Sequence, residues 1–303
     1  MRICAVTMVY RDYWALSQWF AHFATALGAE NLFIVSHGPD PHIHALCPGA
    51  SVITIPRDDL TQFDKLRNRF LNQLQNGLSH CYDWVIRTDA DELVILDPRK
   101  FSSFADFFSK QDGGAVFGLG MEVVEMRGDA KIRDHEPALA QRRNVVFTGH
   151  YSKAWAVRHK IGMDRHGIEL RPRQLRRFSF VMPRGVYIAH LKFANKVALG
   201  LADDIRTAVA HSPGKGLPGT AWSDAERQSR RQFNRFSKLP LQPWDAAEDE
   251  AWTALQTPIR DESSGIMRAK SLRFDFRSEL PEWFATNGFS PVAPDHKEAT
   301  GQR

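Results

Sequence analysis

The sequence predicts an α/β protein with a doubly wound, mixed sheet and a helical C-terminal extension. Short apolar runs alternate with longer amphipathic segments over the first two hundred residues, which is typical of parallel strands joined by right-handed helical crossovers. The alternation then gives way to helical periodicity alone. We therefore expect two parts, a sheet domain over residues 1–195 and a helical region over residues 196–303 packed on it.

The first half of the chain defines the predicted sheet. Ile3–Val9 is apolar almost throughout, as a central parallel strand is. Tyr13–Leu27 has large apolar side chains at helical spacing and ends at Gly28, the residue type that most often follows a helix. The same reasoning predicts the next four elements, which are strands at 31–36, Ser51–Ile55 and 84–88 and a helix at 64–78.

The second half of the sheet domain is less regular. A helix is expected at 101–108, and strands are expected at 115–126, 144–148, 153–158 and 186–189. Residues 127–143 are charged and aperiodic, so we expect a loop that orders over a bound ligand as a lid.

The C-terminal region is helical and basic. Helices are expected at 196–211 and 225–239, and the second carries four arginines and Lys238 against three apolar residues. Such a helix suits an anionic membrane surface, so a peripheral membrane association is expected. Residues 291–303 are expected to form a frayed tail.

Composition limits the class of protein. The chain has 303 residues, 43% hydrophobic content, a net charge of +5 and a pI near 9.2. This basic balance favours a nucleic acid, an anionic membrane or a phosphorylated substrate as partner, without choosing among them. No apolar run of membrane-spanning length and no cleavable leader is apparent, so we expect a cytoplasmic protein, either free or at the inner face of the membrane. Three cysteines lack metal-type spacing.

The segment that carries the predicted chemistry is Asp89-Ala90-Asp91-Glu92. It follows the apolar strand 84–88, and residues i and i+2 of a strand point to one side, so Asp89 and Asp91 are expected to converge. Two carboxylates that close repel each other unless a cation lies between them. Oxygen ligands at a strand end suit Mg²⁺ or Mn²⁺, whose usual task is to hold phosphates.

At these residues the sequence resembles family 2-like glycosyltransferases of the GT-A fold. Their metal motif reads Asp-x-Asp-Glu before an apolar run, and here the apolar run 93–96 follows. The resemblance covers roughly residues 1–195. It implies metal-dependent transfer of a sugar from a nucleotide-diphospho-sugar to an acceptor hydroxyl, with inversion, in cell-surface polysaccharide or glycoconjugate synthesis. The implied acceptor is a saccharide or a lipid-linked molecule, and no nucleic acid is involved.

The resemblance also implies a set of site residues. Asp89, Asp91 and His190 are the expected metal ligands, with His166 as a rival to His190. Asp164 or Glu169 is expected as the catalytic base, with Glu122 and Glu125 behind them. The residues expected to bind the nucleotide-sugar are Thr7, Tyr10, Arg11, Ser36, Asp40, Lys65, Arg67, Asp89 and Lys153.

Two other classes of protein remain open. A phosphohydrolase also uses an Asp pair on Mg²⁺, although the haloacid-dehalogenase arrangement places that pair after the first strand, where this chain has Thr7-Met8-Val9. A non-catalytic anion-binding protein is the other alternative, supported by the pI alone. Neither a Gly-rich dinucleotide fingerprint nor a P-loop occurs in the sequence.

Overall fold

The structure, a computed structural model, describes residues 1–285. In this part of the chain the strands form three sheets, and helices cover both faces of the first sheet. The strands are β1 (Ile3–Val9), β2 (Leu32–His37), β3 (Ser51–Ile55), β4 (Trp84–Arg87), β5 (Glu92–Leu96), β6 (Ala115–Phe117), β7 (Leu119–Val124), β8 (Asn144–Phe147), β9 (Ala154–Val157), β10 (Gly162–Asp164), β11 (Gly167–Glu169), β12 (Val186–His190), β13 (Ile259–Asp261), β14 (Ile266–Arg268) and β15 (Ser278–Glu279).

The helices are interspersed among these strands, with short 3₁₀ turns at Ala29–Asn31 and Glu282–Phe284. The α-helices are α1 (Tyr13–Leu27), α2 (Pro41–Leu46), α3 (Phe63–Leu78), α4 (Phe104–Ser109), α5 (Ala138–Gln141), α6 (Pro172–Leu175), α7 (Lys196–Ala210), α8 (Thr220–Ser223), α9 (Ala225–Phe236) and α10 (Trp244–Leu255).

The first sheet has the order β3-β2-β1-β4-β9-β6. Its first four strands are parallel, and β9 runs antiparallel to both β4 and β6. Alternate residues of β1 face opposite layers: Ile3 and Ala5 lie in the core with α1, whereas Cys4 and Val6 pack with apolar residues of α3. The predicted mixed α/β character is confirmed, and the specific GT-A arrangement stays a prediction.

Two smaller sheets complete the fold. One has the order β15-β8-β7-β12-β5, and the other, fully antiparallel, has the order β10-β11-β14-β13. Strands β13, β14 and β15 come from the C-terminal region, for which the sequence predicts helices and no strands. The sequence did not reveal them because strands of two or three residues are too short to show a period.

The predicted elements differ from the observed ones at several points. The run 115–126 divides at Gly118 into β6 and β7, which belong to different sheets. A Cβ at Gly118 would lie 2.8 Å from Cγ1 of Ile188, so the chain crosses between sheets where only glycine fits. Helix α2, which the sequence analysis did not predict, begins after Asp40, whose side chain accepts a hydrogen bond from the His42 N–H.

Residues 127–143 are anchored to the core. The side chain of Gln18 on α1 accepts a hydrogen bond from the Ala138 N–H at 2.9 Å and donates to the Glu136 carbonyl at 3.2 Å. Arg142 is fully buried and its Nε donates to the Ala194 carbonyl at 2.8 Å. These contacts hold residues 136–142 against the core, which argues against a lid formed by the whole segment.

Two further expectations concern the ends and the membrane. The predicted tail 291–303 lies outside the described residues. Within residues 1–285, none of the helices combines the length and apolar character needed to cross a membrane.

The buried histidine of α1 gives a testable pH dependence. His22 hydrogen-bonds the Val94 carbonyl of β5 through Nε2, and burial lowers the pKa of His22 to about 4. The folded state therefore keeps this ring neutral, while the unfolded chain binds a proton below about pH 6.5. Its contribution to stability is complete above that pH and is lost as pH falls towards 4.

We expect acidification from pH 7 to pH 5 to reduce the free energy of unfolding, with about 2 kcal/mol of the loss due to His22. Urea unfolding at each pH measures the free energy of unfolding of wild type and of His22→Phe, in which an aromatic ring that does not titrate replaces the imidazole. Between pH 7 and pH 5 the free energy of unfolding should fall less in the variant than in wild type. Between pH 7 and pH 9 it should change with pH by the same amount in both proteins. Equal losses on acidification would show that His22 is not the titrating group.

Candidate active site

A cavity of about 660 Å³ opens at the carboxyl ends of the parallel strands. Tyr10 follows β1, His37 ends β2 and Asp89 follows β4, and all three line it. Residues of α7 and α8 also line it, including Arg206 and Trp222. The cavity thus lies where ligands bind in open α/β sheets, with the C-terminal helices as part of its lining.

The acidic motif forms a turn between β4 and β5. Strand β4 ends at Arg87 and β5 begins at Glu92, so Asp89 and Asp91 do not alternate along a strand as expected. Their side chains differ in environment: that of Asp89 is 65% exposed to the cavity, and that of Asp91 is 16% exposed. Both line the cavity, but each carboxylate contacts a different basic side chain.

Asp89 is paired with Lys153, the residue before β9. The Lys153 ammonium lies 3.2 Å from Oδ2 of Asp89 and 2.8 Å from Oε1 of Glu92. Lys153 lowers the pKa of Asp89, whereas burial raises the pKa of Glu92 to about 7 despite the same lysine. The other oxygen of Glu92 accepts the Asp89 N–H at 3.1 Å, so Glu92 fixes both the turn and the lysine.

Asp91 is paired with His190, the last residue of β12. Nε2 of His190 lies 3.2 Å from Oδ2 of Asp91, and Nδ1 lies 2.6 Å from Oε2 of Glu122. Burial opposes charge on this ring, but Glu122 and Asp91 outweigh it and raise the pKa of His190 to about 10. Burial likewise opposes ionisation of Asp91, yet His190 holds the pKa of Asp91 below its usual range.

A rigid turn over residues 149–152 presents aromatic side chains to this pair. The ring of Tyr151 stacks on His190, with centroids 3.8 Å apart and planes at 24°. Ser152 Oγ accepts the Gly120 N–H at 2.8 Å and donates to the Thr148 carbonyl at 2.9 Å. A Cβ at Gly120 would lie 2.2 Å from the carbonyl carbon of Tyr151, so the turn packs directly on the backbone of β7.

The other end of the cavity is aromatic and cationic. The guanidinium of Arg57 lies 3.5 Å from the Tyr10 ring centre and contacts Nδ1 of His37 at 2.9 Å. Arg67 lies over Phe63 and donates from Nε to Sδ of Met8. Within residues 1–285, neither arginine forms an ion pair with a carboxylate. This end therefore holds two guanidinium groups that lie over aromatic rings and have no carboxylate partner among the described residues. Their planes and charge suit a nucleobase and anionic groups.

The structure brings part of the predicted set into the cavity. Tyr10, Arg67, Asp89, Asp91 and Lys153 line it, together with the predicted residues Asp164, His166 and His190. Glu122 lies behind His190, in contact with its ring.

The remaining predicted residues lie outside the cavity lining. Thr7 is buried in β1, and Ser36 donates to the Gly38 carbonyl. Asp40 caps α2, and its side chain also accepts a hydrogen bond from the Tyr13 hydroxyl. These two structural contacts account for an acidic residue at this position without any role in ligand binding. The other predicted residues off the lining are Arg11, Lys65, Glu169 and the fallback residue Glu125.

His166 belongs to a second small cluster on the cavity wall. Its ring lies 3.9 Å from the ring of His150, centroid to centroid. Burial, followed by the nearby His150, lowers the pKa of His166 to about 3. Asp164 lies two residues earlier, at the end of β10, and also lines the cavity. Of the two histidines weighed as metal ligands, His190 alone contacts an aspartate of the motif.

Several cavity residues escaped sequence analysis. Arg57, His150, Arg206 and Trp222 lie on loops or helices without a motif. Their common signal is weak: each is a cationic or aromatic residue in a polar segment, which is usually a solvated position. Only the folded chain shows that they share one cavity.

The residues present fit a divalent cation held jointly with a ligand. Bonds of about 2.1 Å at right angles place neighbouring oxygen or nitrogen ligands about 3 Å apart, close to the 3.2 Å between Asp91 and His190. Glu122 contacts Nδ1 and leaves Nε2 on the side of Asp91, where it would be available to an ion, as in metal-binding histidines oriented by a carboxylate. The ring would have to lose its proton to bind. Within residues 1–285, no cluster of three or more His, Cys, Asp or Glu side chains is arranged to hold an ion alone.

Comparison with known proteins adds little. No protein family matches the sequence, and no curated protein matches it either. Three similar solved structures are a CMP:2-keto-3-deoxy-manno-octonic acid synthetase complexed with CTP (12% identity, 55% of this chain, 67% of that chain, TM-score 0.28), the mannose-1-phosphate geranyltransferase from Thermus thermophilus (12%, 92%, 74%, 0.31) and the WbbM bifunctional glycosyltransferase (14%, 41%, 23%, 0.24). TM-scores this low assign no function to this chain.

The close packing at Gly120 predicts a sensitive position. Gly120→Ala should displace the turn that carries Tyr151 and destabilise the protein by about 1–3 kcal/mol through overpacking. Gly77 in α3 is the matched control, because a Cβ there would meet no heavy atom within 4 Å. Gly77→Ala should be neutral or slightly stabilising. Thermal unfolding of both variants measures the effect, and equal melting temperatures would contradict the packing argument.

Proposed function

We propose that this protein is a divalent-cation-dependent glycosyltransferase that moves a sugar from a nucleotide-diphospho-sugar to an acceptor hydroxyl. The observation that carries the proposal is the pairing of Asp91 with a histidine that Glu122 orients, inside a cavity with a cationic and aromatic end. A metal and phosphate site beside a nucleobase site is what such a donor requires. The acceptor is a saccharide or a lipid-linked molecule, in cell-surface polysaccharide or glycoconjugate synthesis.

Asp91 and His190 would hold Mn²⁺ or Mg²⁺ together with the donor diphosphate. When bound, the ion supplies Lewis-acid stabilisation of the departing diphosphate. Imidazole beside a carboxylate favours Mn²⁺ over Mg²⁺. Asp89, held by Lys153, is assigned to the donor rather than to the ion, because its carboxylate faces the open cavity.

An inverting transfer needs a carboxylate that accepts the proton of the acceptor hydroxyl. Of the two residues predicted for this role, Asp164 lines the cavity and Glu169 is exposed on β11 outside it. We therefore assign the role of base to Asp164. The expected outcome is loss of turnover in Asp164→Asn with unchanged affinity for the nucleoside diphosphate.

The membrane association expected from the basic C-terminal region stays a proposal. Three arginines of α9 form ion pairs with acidic neighbours, namely Arg227 with Asp224, Arg230 with Glu226 and Arg235 with Asp275. These pairs leave less free positive charge than the sequence suggests. A surface-bound acceptor would therefore be met through weak, salt-sensitive contacts.

The metal assignment gives a direct test. In the wild type we expect Mn²⁺ to strengthen binding of at least one of UDP, GDP, ADP and CDP, measured first by thermal shift and then by calorimetry. Asp91→Asn should abolish the Mn²⁺-dependent part, because the amide is a poor ligand for the ion. Glu122→Gln should weaken it by about 10–100-fold, since the histidine loses its orienting carboxylate.

Glu169→Gln is the matched control, because it removes an exposed carboxylate outside the cavity lining and should bind as wild type does. Mn²⁺-dependent affinity that survives Asp91→Asn would rule out this ligand. A wild type that binds none of the four nucleotides would reject the transferase proposal. Binding that is equal with and without Mn²⁺ would instead favour a non-catalytic anion-binding protein. Release of inorganic phosphate would favour the phosphohydrolase.

A further inference from the structure

Helix α7 brings an arginine to the cavity from the C-terminal region. The side chain of Arg206 is 18% exposed, and its NH1 donates to Oδ1 of Asp203 at 2.8 Å. Asp203 is buried, and its second oxygen accepts the Ser229 hydroxyl of α9 at 2.6 Å. The arginine is therefore held by a carboxylate that another helix fixes in place.

This arrangement differs from the surface ion pairs of the same region. Arg230 and Glu226 on α9 are both about three-quarters exposed and contact each other in solvent. The Arg206 pair instead sequesters its carboxylate, while the arginine itself lines the cavity. A pair serving helix stability alone gains little from a buried aspartate that must also be satisfied by a second helix.

A small recess with a mainly apolar lining and a few charged side chains adjoins the cavity at this point. Its volume is about 10 Å³, near the space of a single water-sized oxygen. Arg206 and Lys192 line it, as does Trp14, whose buried Nε1–H has no partner among the described residues. Asp12 and Asp91 also line it, and their negative charge would repel an anion unless a cation were bound at Asp91.

We propose that Arg206 and Lys192 bind a phosphate-type oxyanion of the substrate beside Asp91, with Asp203 and Ser229 as positioning residues. This inference rests on the proposed function and extends it to the helical region, which would then form part of the site. The oxyanion could come from the donor diphosphate or from an anionic acceptor. We assign it to the donor, because the donor diphosphate would share the ion held by Asp91 and would therefore lie next to Arg206.

The test uses calorimetry on the full chain with saturating Mn²⁺. The probe is whichever of UDP, GDP, ADP and CDP binds the wild type most tightly. Arg206→Gln should weaken it by tenfold or more, as expected for a lost charged hydrogen bond, while binding of the corresponding nucleoside should not change. Arg206→Lys should recover part of the loss. Asp203→Asn and Ser229→Ala should give smaller losses, with Ser229→Ala the smallest.

Arg230→Gln is the matched control, since it removes an exposed arginine of α9 and should leave every affinity unchanged. Thermal unfolding of each variant separates loss of folding from loss of binding, and Arg206→Lys keeps the charge should Arg206→Gln fail to fold. To separate the two sources, glycerol 3-phosphate is titrated into protein saturated with the nucleotide and Mn²⁺. If Arg206→Gln loses only this second binding, the oxyanion belongs to the acceptor.

If Arg206→Gln binds both the nucleoside diphosphate and glycerol 3-phosphate as tightly as wild type does, the inference is overturned and the proposed function remains in place. A tenfold loss that appears equally for the bare nucleoside would also overturn it, because the effect would then lie away from the phosphates. If the wild type binds no nucleoside diphosphate with Mn²⁺, the proposed function and this inference both fall.

Discussion

The site depends on the position of β12 between β5 and β7. In this register His190 lies opposite Glu92 on one side and Glu122 on the other. Paired residues of neighbouring strands project to the same face of a sheet, so one row holds two carboxylates with an imidazole between them. The backbone pairing fixes the positions of the residues in this row. It therefore also determines where the His190 ring lies, where the turn of the acidic motif begins and which carboxylate Lys153 can contact. A slip of one residue would turn the whole row to the opposite face.

The same row explains how so much charge is tolerated in a buried place. Each carboxylate has a nearby cation: Lys153 lies between Asp89 and Glu92, and His190 lies between Asp91 and Glu122. Burying any one of these groups alone would cost several kcal/mol, and removal of a single partner would leave an uncompensated charge. The network is therefore a poor source of stability but a good source of geometry. Its two ends that face the cavity, Asp89 and Asp91, are where a ligand can exchange these internal contacts for its own.

The sequence predicts what is local and misses what is not. Strands β1 and β3 and helix α1 have the bounds that the sequence predicts, because each has a clear apolar period or an end signal such as Gly28. Asp89 and Asp91 of the acidic motif line the cavity, but they lie in a turn and not along a strand as predicted. Four residues are too few for the sequence to distinguish a turn from the end of a strand. Only some of the side chains that surround the motif can be predicted from the sequence. A family resemblance suggests Lys153 and His190. The contact of Arg57 with Tyr10, at the other end of the cavity, joins distant parts of the chain and has no periodic pattern that would predict it.

The boundary expected at residue 195 stays a prediction, but strand pairing crosses it. The periodicity changes there, while β13 and β14 extend the sheet begun by β10 and β11, and β15 pairs with β8. Helices α7 and α8 then contribute to the lining of the cavity. A parallel sheet alone presents only loops and strand ends at its carboxyl edge, which leaves a ligand open to water on one side. Helices of the C-terminal region complete the lining on that side, and Arg206 of α7 lines the same small recess as Asp91 of the turn.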